Sequence, residues 1–359
     1  MALPLMDDFR ALVLENRPLI DVRAPVEFDK GAFQNAKNLP IMTDEERHLI
    51  GIRYKNNGNE AAVALGKELI DGTPRKERTE GWKAFIKSHP DAYLYCFRGG
   101  QRSRIAQEWL ADEGIMIERL KGGYKAFRNF LISESGRISQ KTKTTIIGGR
   151  TGSGKTLLLE QLQNSIDLEA LANHRGSSFG SFISSQPSQI DFENSLAYAL
   201  IQHEAQNHNQ LIIEHESRNI GHVNIPKNVF EPLQKNASLI ILETPISTRV
   251  DITFDEYVTE ALRDYHDSFG EEGEKRWFED VSAGLSRIQK RLGSERYLQI
   301  KEAFECAYHD KNLEGHKAWI ETLLSAYYDP MYDYQIEKST IPIVFRGSSE
   351  EIKTYLQNS

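Results

Sequence analysis

Short apolar runs alternate with segments of helical spacing along the first third of the chain. Pro18 to Val22 and Ala92 to Cys96 are apolar runs of strand length, each ending in a polar turn. Trp82 to Ser88 and Arg104 to Glu113 carry apolar residues at helical spacing. Strands separated by helices predict a parallel sheet covered on both faces. Between them, Glu45 to Thr73 is polar and mostly helical in pattern, with Lys55-Asn56-Asn57-Gly58-Asn59 expected as a loop. Ser133 to Gly136 and Ser139 to Lys143 are poor in large apolar residues and predict a domain boundary. Thr144 to Ile147 then reads as a new strand, followed by strand candidates at Gln210 to Ile213 and Ser238 to Leu242. From about Phe254 to Tyr328 the period is helical and the segment is rich in charge. Thr340 to Phe345 returns to strand character and is expected to rejoin the second sheet. The expectation is an α/β protein with a parallel-sheet domain over residues 1–138 and a second over 139–359, the latter with a helical region over about 254–330.

Composition narrows the class. The chain has 359 residues, 39% hydrophobic and 27% charged, which suits two domains and excludes disorder, collagen and coiled coil as dominant states. No apolar run approaches the roughly 18 residues that span a bilayer, so no membrane partner is expected. Met1 to Arg10 lacks the basic and apolar regions of a secretory signal. The two cysteines, Cys96 and Cys306, are too few for a disulfide framework or a cysteine-only zinc site, and no metal site is expected from them. A reducing, cytoplasmic location is the expectation.

With 44 basic against 52 acidic residues the net charge is −8, so contact with a nucleic acid must use a local patch. Between Ile117 and Lys143 lie Arg119, Lys121, Lys125, Arg128, Arg137, Lys141 and Lys143, opposed only by Glu118 and Glu134. Basic residues beside Tyr124 and Phe127 suit an RNA backbone and a splayed base. Lys121, Tyr124, Lys125 and Arg128 are the candidate contacts. A second patch is Arg287, Lys290, Arg291, Arg296 and Lys301. An ordinary solvated helix face is the alternative for each.

Gly149-Arg150-Thr151-Gly152-Ser153-Gly154-Lys155-Thr156 fits G-x-x-x-x-G-K-[ST], after an apolar strand and before the amphipathic segment Leu157 to Leu162. Glycines let backbone N–H groups converge on a phosphate, Lys155 reaches the terminal phosphates, and Thr156 offers a hydroxyl to Mg²⁺. The acidic partner that nucleotide hydrolases place after a second strand is only loosely matched, by Glu214 or Glu216, with Glu243 as a competitor. A nucleoside triphosphate is the default ligand of such a loop.

Cys96-Phe97-Arg98-Gly99-Gly100-Gln101-Arg102-Ser103 leaves a strand and enters a helix. Inward N–H groups of a glycine turn, with Arg98 and Arg102 nearby, favour a thiolate facing an anion-sized cradle. Cys96, Arg98, Gly99, Gly100 and Arg102 are the candidate catalytic set. Sulfur or selenium carriage fits, as Cys–S–S⁻ or Cys–S–Se⁻, and so does phosphate-ester hydrolysis through a cysteinyl phosphate. Cys306 lies on a helical face and reads as packing.

Asp21-Val22-Arg23, Glu27, Gly31-Ala32 and Ala36 to Pro40, with Cys96, resemble the rhodanese family. Its more common cysteine loop is one residue shorter, which suggests a larger or different transferred group here. The whole chain is similar to the tRNA 2-selenouridine synthase family. The matching segments are Tyr93 to Gly100, Gly122 to Ala126, the phosphate loop, Ala172 to Gly180 and Gln186 to Gln189. That resemblance implies a rhodanese-like domain followed by a P-loop domain with a helical C-terminal extension. It implies conversion of wobble 2-thiouridine in tRNA to 2-selenouridine, by S-geranylation with geranyl diphosphate and then selenation from selenophosphate. It implies those two compounds as substrates, Mg²⁺ as an accessory, no tightly bound cofactor, and a selenophosphate-producing enzyme as partner. It raises His174, Arg175, Ser177 and Ser178 as substrate contacts, and it makes geranyl diphosphate the rival ligand at Gly149 to Thr156, with Phe179 and Phe182 lining a groove for its tail. The other readings are a nucleotide-dependent kinase or phosphatase, and a non-enzymatic sulfur-relay or tRNA-binding adaptor.

Overall fold

The computed structural model describes residues 3–175, 179 and 182–358. They fall into two units. Met1–Ile138 with Pro187–Asn207 form the first, and Ser139–Gln186 with His208–Ser359 form the second.

The first unit is built on a parallel sheet of five short strands: β1 (Leu5–Met6), β2 (Leu19–Asp21), β3 (Ala36–Asn38), β4 (Tyr93–Tyr95) and β5 (Arg119–Leu120), in the order β1-β5-β4-β2-β3. Every residue of β2 is buried, which is why its run is apolar without alternation. The pairing of Asp21 with Tyr95 brings the carboxyl ends of β2 and β4 level, so the segment after Asp21 and the cysteine loop leave the same edge. Loops at the carboxyl ends of parallel strands are where α/β folds place their sites.

Glycine and short polar residues account for two departures from expectation. Lys55 to Asn59 is not a loop. It lies within a helix, Asp44–Ile70, interrupted only at Gly58, whose left-handed φ of 80° kinks the axis. A capping box on Thr43 and Glu46 starts this helix. Ser133 to Lys141 is not a linker either, since the helix Gly123–Lys141 runs through it. Phe127, Leu131 and Ile138 form its buried stripe, and Ser135 and Ser139 are buried as well. Small hydroxyl residues can therefore occupy an inward face without apolar bulk.

The helix Gln189–Ala205 belongs to the first unit, although its sequence lies within the stretch expected for the second domain. Ile190 fills the space that a Cβ on Gly31 would need, at 2.4 Å. Asp191 accepts a hydrogen bond from the Ala32 N–H at 2.7 Å, and Asn194 donates to the Ala32 carbonyl at 2.6 Å.

The second unit holds a parallel sheet of β6 (Thr144–Gly149), β7 (Leu211–Glu214), β10 (Ala237–Leu242) and β11 (Ile343–Gly347), in the order β11-β10-β6-β7, with a small antiparallel ribbon of β8 (Asn219–Ile220) and β9 (Val223–Asn224). The last strand does rejoin this sheet, beside β10. The helix after the phosphate loop, Lys155–Leu159, is shorter than the apolar spacing to Leu162 predicts. Helices from Ile246 to Lys338 enclose an aromatic core around Phe254, Trp277, Phe304 and Trp319, and two of their turns, Asp255–Glu260 and Leu324–Tyr328, are π-helical. Among the described residues no helix is long and apolar enough to cross a membrane.

Candidate active site

The chemistry-bearing segments form one site in each unit.

In the first unit, Cys96 follows β4 directly and is buried. Its Sγ–H donates to the Ser103 Oγ at 3.2 Å, and Ser103 donates in turn to the Gly100 carbonyl at 3.2 Å. Ser103 ends the cysteine motif but was outside the expected catalytic set. The loop is clamped from behind. The Tyr124 and Lys125 N–H groups donate to the Cys96 and Phe97 carbonyls at 2.9 and 3.0 Å. Gly99 and Gly123 both have positive φ, and a Cβ on Gly99 would lie 2.7 Å from the Gly122 nitrogen, so close backbone approach requires glycine here. Arg119 donates to the Gly99 carbonyl at 2.5 Å, and its charge lies within electrostatic reach of Cys96. Burial lowers the Arg119 pKa, and its Nε has no hydrogen-bond partner among the described residues. Arg119 was expected only in a basic patch; its placement by a two-residue strand left no signal in the spacing.

Two arginines divide the work around this loop. Arg102 is committed to Glu27, with Nη2 to Oε1 at 3.1 Å, and Arg47 joins the same carboxylate at 3.2 Å. Arg98 is exposed and has no ion-pair partner among the described residues. The Asp21-Val22-Arg23 segment is structural. Arg23 pairs with Asp21 in the interior, at 2.6 Å, and its guanidinium lies 4.0 Å over the Tyr124 ring.

The candidate RNA contacts separate by burial. Tyr124 is buried beneath Arg23, so its ring has no face for a base. Arg128 donates to Asn194 at 2.8 Å and pairs with Glu193, which commits it to the interior of the unit. Lys121 pairs with Asp7 at the surface, at 3.0 Å, and Lys125 is exposed.

In the second unit, Gly149 to Thr156 forms a compact loop between β6 and the helix that starts at Lys155. Gly152 and Gly154 have φ of 74° and 83°, which favours glycine at both. Lys155 donates to the Gly149 carbonyl at 3.1 Å. The Ser153 hydroxyl is buried with no hydrogen-bond partner among the described residues. Behind the loop stands Arg249, buried, which donates to the Thr151 carbonyl at 3.0 Å and grips Asp329 through both Nη atoms at 2.9 and 2.6 Å. Arg150 donates to Asp333 and also lies 3.7 Å from the Asp329 carboxylate.

Glu169, Glu216 and Glu256 lie within electrostatic reach of Lys155, and Glu214 adjoins Glu169. Glu214, at the end of β7, accepts from the Glu169 N–H at 2.7 Å, while its other oxygen is buried without a partner among the described residues. Burial, reinforced by the charge of Asp167, pushes its carboxyl up to about 8. Burial and the neighbouring Glu169 raise Glu216 well above the usual carboxylate range, and Glu216 and Glu169 share a hydrogen bond. Burial raises Glu169 and Glu256 as well. At neutral pH Glu214 therefore holds its proton. A phosphate ligand at Lys155 meets less repulsion than four acidic residues would suggest. Glu243 is exposed beside Arg346 and stands outside this group. Among the described residues no set of three or more His, Cys, Asp or Glu side chains is arranged to hold a metal ion.

Arg175 lies 4.2 Å over the Phe182 ring and 5.1 Å from that of Tyr257, and its charge reaches Glu169 and Glu256. Phe179 packs into the open side of Gly284, against the helical core. His174 is buried, and that burial, with His222 nearby, lowers its pKa. Ser177 and Ser178 lie outside the described residues.

Comparisons with known proteins match both halves. Residues 142–359 match the family model of the tRNA 2-selenouridine synthase AAA domain, and residues 5–130 match the Rhodanese-like domain. Proteins named tRNA 2-selenouridine synthase from Sulfurovum sp. (strain NBC37-1) and from Hydrogenovibrio crunogenus are 55% and 48% identical to this chain. They cover 99% and 98% of it, and the matches span 98% of each relative. A solved N-terminal domain of a Clostridium difficile 630 protein, proposed to bind ATP or GTP, covers 36% of the chain at 29% identity with a TM-score of 0.33. A cysteine loop on a rhodanese-like sheet, a phosphate loop in a following parallel-sheet unit and full-length similarity agree: the chain belongs to the tRNA 2-selenouridine synthase family.

Proposed function

We propose that this chain converts the wobble 2-thiouridine of tRNA to 2-selenouridine in two transfers, geranylation at the phosphate loop and selenium exchange at the cysteine loop. In the first transfer the 2-thio sulfur bonds to C1 of geranyl diphosphate. The C1–O bond breaks, diphosphate leaves, and the base loses its N3 proton to solvent. In the second, selenium from selenophosphate bonds to C2 of the base and the C2–S bond breaks to release geranylthiol; the Se–P bond breaks on attack by water, phosphate leaves, and the protons of water and selenophosphate supply the thiol and N3. Alkylation makes the sulfur a far better leaving group than a thiocarbonyl.

The observation that carries the first assignment is the pairing of a phosphate cradle with an arginine on an aromatic surface. Backbone N–H groups and Lys155 suit a diphosphate, with little reading of what hangs from it. The unpartnered Ser153 hydroxyl is a further polar group for its oxygens. Arg175 over Phe182 and Tyr257 offers a cation beside apolar rings, which suits an allylic diphosphate better than a purine. Mg²⁺ would arrive with the diphosphate and meet Thr156. Cys96, with Arg98, Arg119 and Ser103 around it, serves the selenium step. Of the four expected RNA contacts, Lys121 and Lys125 are the two at the surface for tRNA phosphates.

Lys155→Ala tests the division of labour. Geranylation should fall by at least about 100-fold, the scale of losing a charge stabiliser of a leaving group. Selenation of tRNA geranylated beforehand should persist. Normal geranylation by this variant, or tight ATP binding that geranyl diphosphate does not displace, would overturn the assignment.

A further inference from the structure

The first unit contains a cavity of about 1100 Å³ beside the cysteine loop. It lies between the helix Asp44–Ile70 and the outer face of the helix Gln101–Asp112. Its size is slightly above the usual range for small-molecule sites, roughly 300–1,000 Å³.

Its lining is amphiphilic in an ordered way. The apolar wall includes Ile41, Ile50, Ala62, Val63, Ile105 and Trp109. Of these, Ile41, Ile50, Ile105 and Trp109 belong to, or adjoin, the same hydrophobic cluster that holds Cys96. The polar side includes Arg98, Gln101 and Arg102 from the cysteine loop and its helix. Charges here are unevenly matched. Glu27 is taken by Arg102 and Arg47, and Asp112 by Arg75. Arg98, Lys55 and Lys67 also line the space and have no ion-pair partner among the described residues. Fold stability alone gives no reason to keep a partly apolar space of this volume under a polar helix. The helix that roofs it breaks at Gly58 and leaves Ile52 and Tyr54 substantially exposed.

We infer that this cavity binds the S-prenyl chain of the alkylated nucleoside while its base faces the cysteine loop. The inference rests on the two-transfer reading above and adds where the leaving group sits. Continuity of the cavity with Arg98, Gln101 and Arg102 places its mouth where an RNA phosphate and the reacting C2 would be held. The same space carries both the loop's polar residues and the apolar wall, as a ten-carbon chain attached to the base requires. An unalkylated 2-thiouridine has nothing to fill it, so the exchange step becomes selective for the prenylated base.

The test compares two anticodon stem-loop RNAs, one carrying S-geranyl and one S-methyl 2-thiouridine, by calorimetric titration of the full chain. Each buried methylene strengthens binding roughly fourfold, so partial burial of the chain should favour the geranyl RNA by about 100-fold or more. Val63→Trp and Ile105→Trp fill the space from opposite walls and should bring that ratio close to one, with S-methyl affinity and melting temperature retained. Leu49→Trp, on the same helix outside the cavity, should leave the ratio unchanged. A ratio near one in the unaltered chain, or a full ratio in both filled variants, overturns the inference. Selenation of the geranyl RNA, followed separately, tests the two-transfer reading. A preserved ratio without selenation defeats that reading and leaves the cavity's role standing. Selenation together with a full ratio in the filled variants defeats the cavity alone.

Discussion

At the scale of single residues, the protonation of Glu214 is the least expected property of the phosphate site. The end of β7 only loosely matched the place of an acidic metal partner, with Glu214 or Glu216 as candidates and Glu243 as a competitor. Burial instead raises the Glu214 pKa to about 8. A carboxyl whose folded pKa lies above its unfolded value stabilises the fold fully below the ordinary carboxylate range, near pH 4, and that contribution is lost as pH rises through the folded value. Stability should therefore decline between about pH 4.5 and 8, by an amount on the order of a few kcal/mol from this group. Glu214→Gln keeps the shape and the acceptor for the Glu169 N–H but removes the titration. Denaturant unfolding of this variant should show a flatter pH profile over that window and higher stability at pH 8. An unchanged slope would mean that Glu214 is ionised in the folded protein at neutral pH. The sequence displayed the acidic residues of Glu214-His215-Glu216 but not their state, because desolvation depends on what β6 and the helix Leu168–Ala172 bring against them.

At the scale of elements, the phosphate loop is held by a residue about a hundred positions away. Arg249, on the helix Ile246–Phe254, ties the Thr151 carbonyl to Asp329 at the start of the helix Asp329–Lys338. A π-helical turn, Asp255–Glu260, follows the helix that carries Arg249, and another, Leu324–Tyr328, directly precedes Asp329. Such turns insert a residue and rotate the helix beyond them. Asp329→Ala strands a buried guanidinium, which costs about 3–5 kcal/mol. Unfolding should report that loss, and geranyl diphosphate affinity should fall with it. If stability and affinity both hold, the loop is self-supporting. The loop motif itself was legible, since strand, glycines and lysine sit in one run of sequence. Its support was not, because Arg249 and Asp329 resemble any charged residues of a helical region. The same contrast holds in the first unit. Gly99 and Gly100 were readable as a turn after Cys96, whereas the Gly122-Gly123 backbone that locks the turn comes from a separate segment.

At the scale of the whole molecule, the chain visits the first unit twice. Pro187–Asn207 returns to it from the middle of the sequence matched by the second family model. Composition and polar stretches placed one boundary near 138 and gave no sign of the return. The contacts that hold it, Ile190 against Gly31 and Asp191 and Asn194 against Ala32, are pairings between distant residues rather than a local pattern. The order of sheets, the helical stretch from Phe254 and the return of the last strand were readable, because hydrophobic period carries them directly. The central claim for the molecule is that one chain performs two transfers in sequence, the second depending on Cys96. The direct measurement is mass analysis of nucleosides from 2-thiouridine tRNA incubated with the full chain, geranyl diphosphate and selenophosphate. The prediction is 2-selenouridine with the unaltered chain, and accumulation of S-geranyl-2-thiouridine with Cys96→Ser, since a serine hydroxyl is a far weaker nucleophile than a thiolate. Formation of 2-selenouridine without geranyl diphosphate, or undiminished formation by Cys96→Ser, would contradict it.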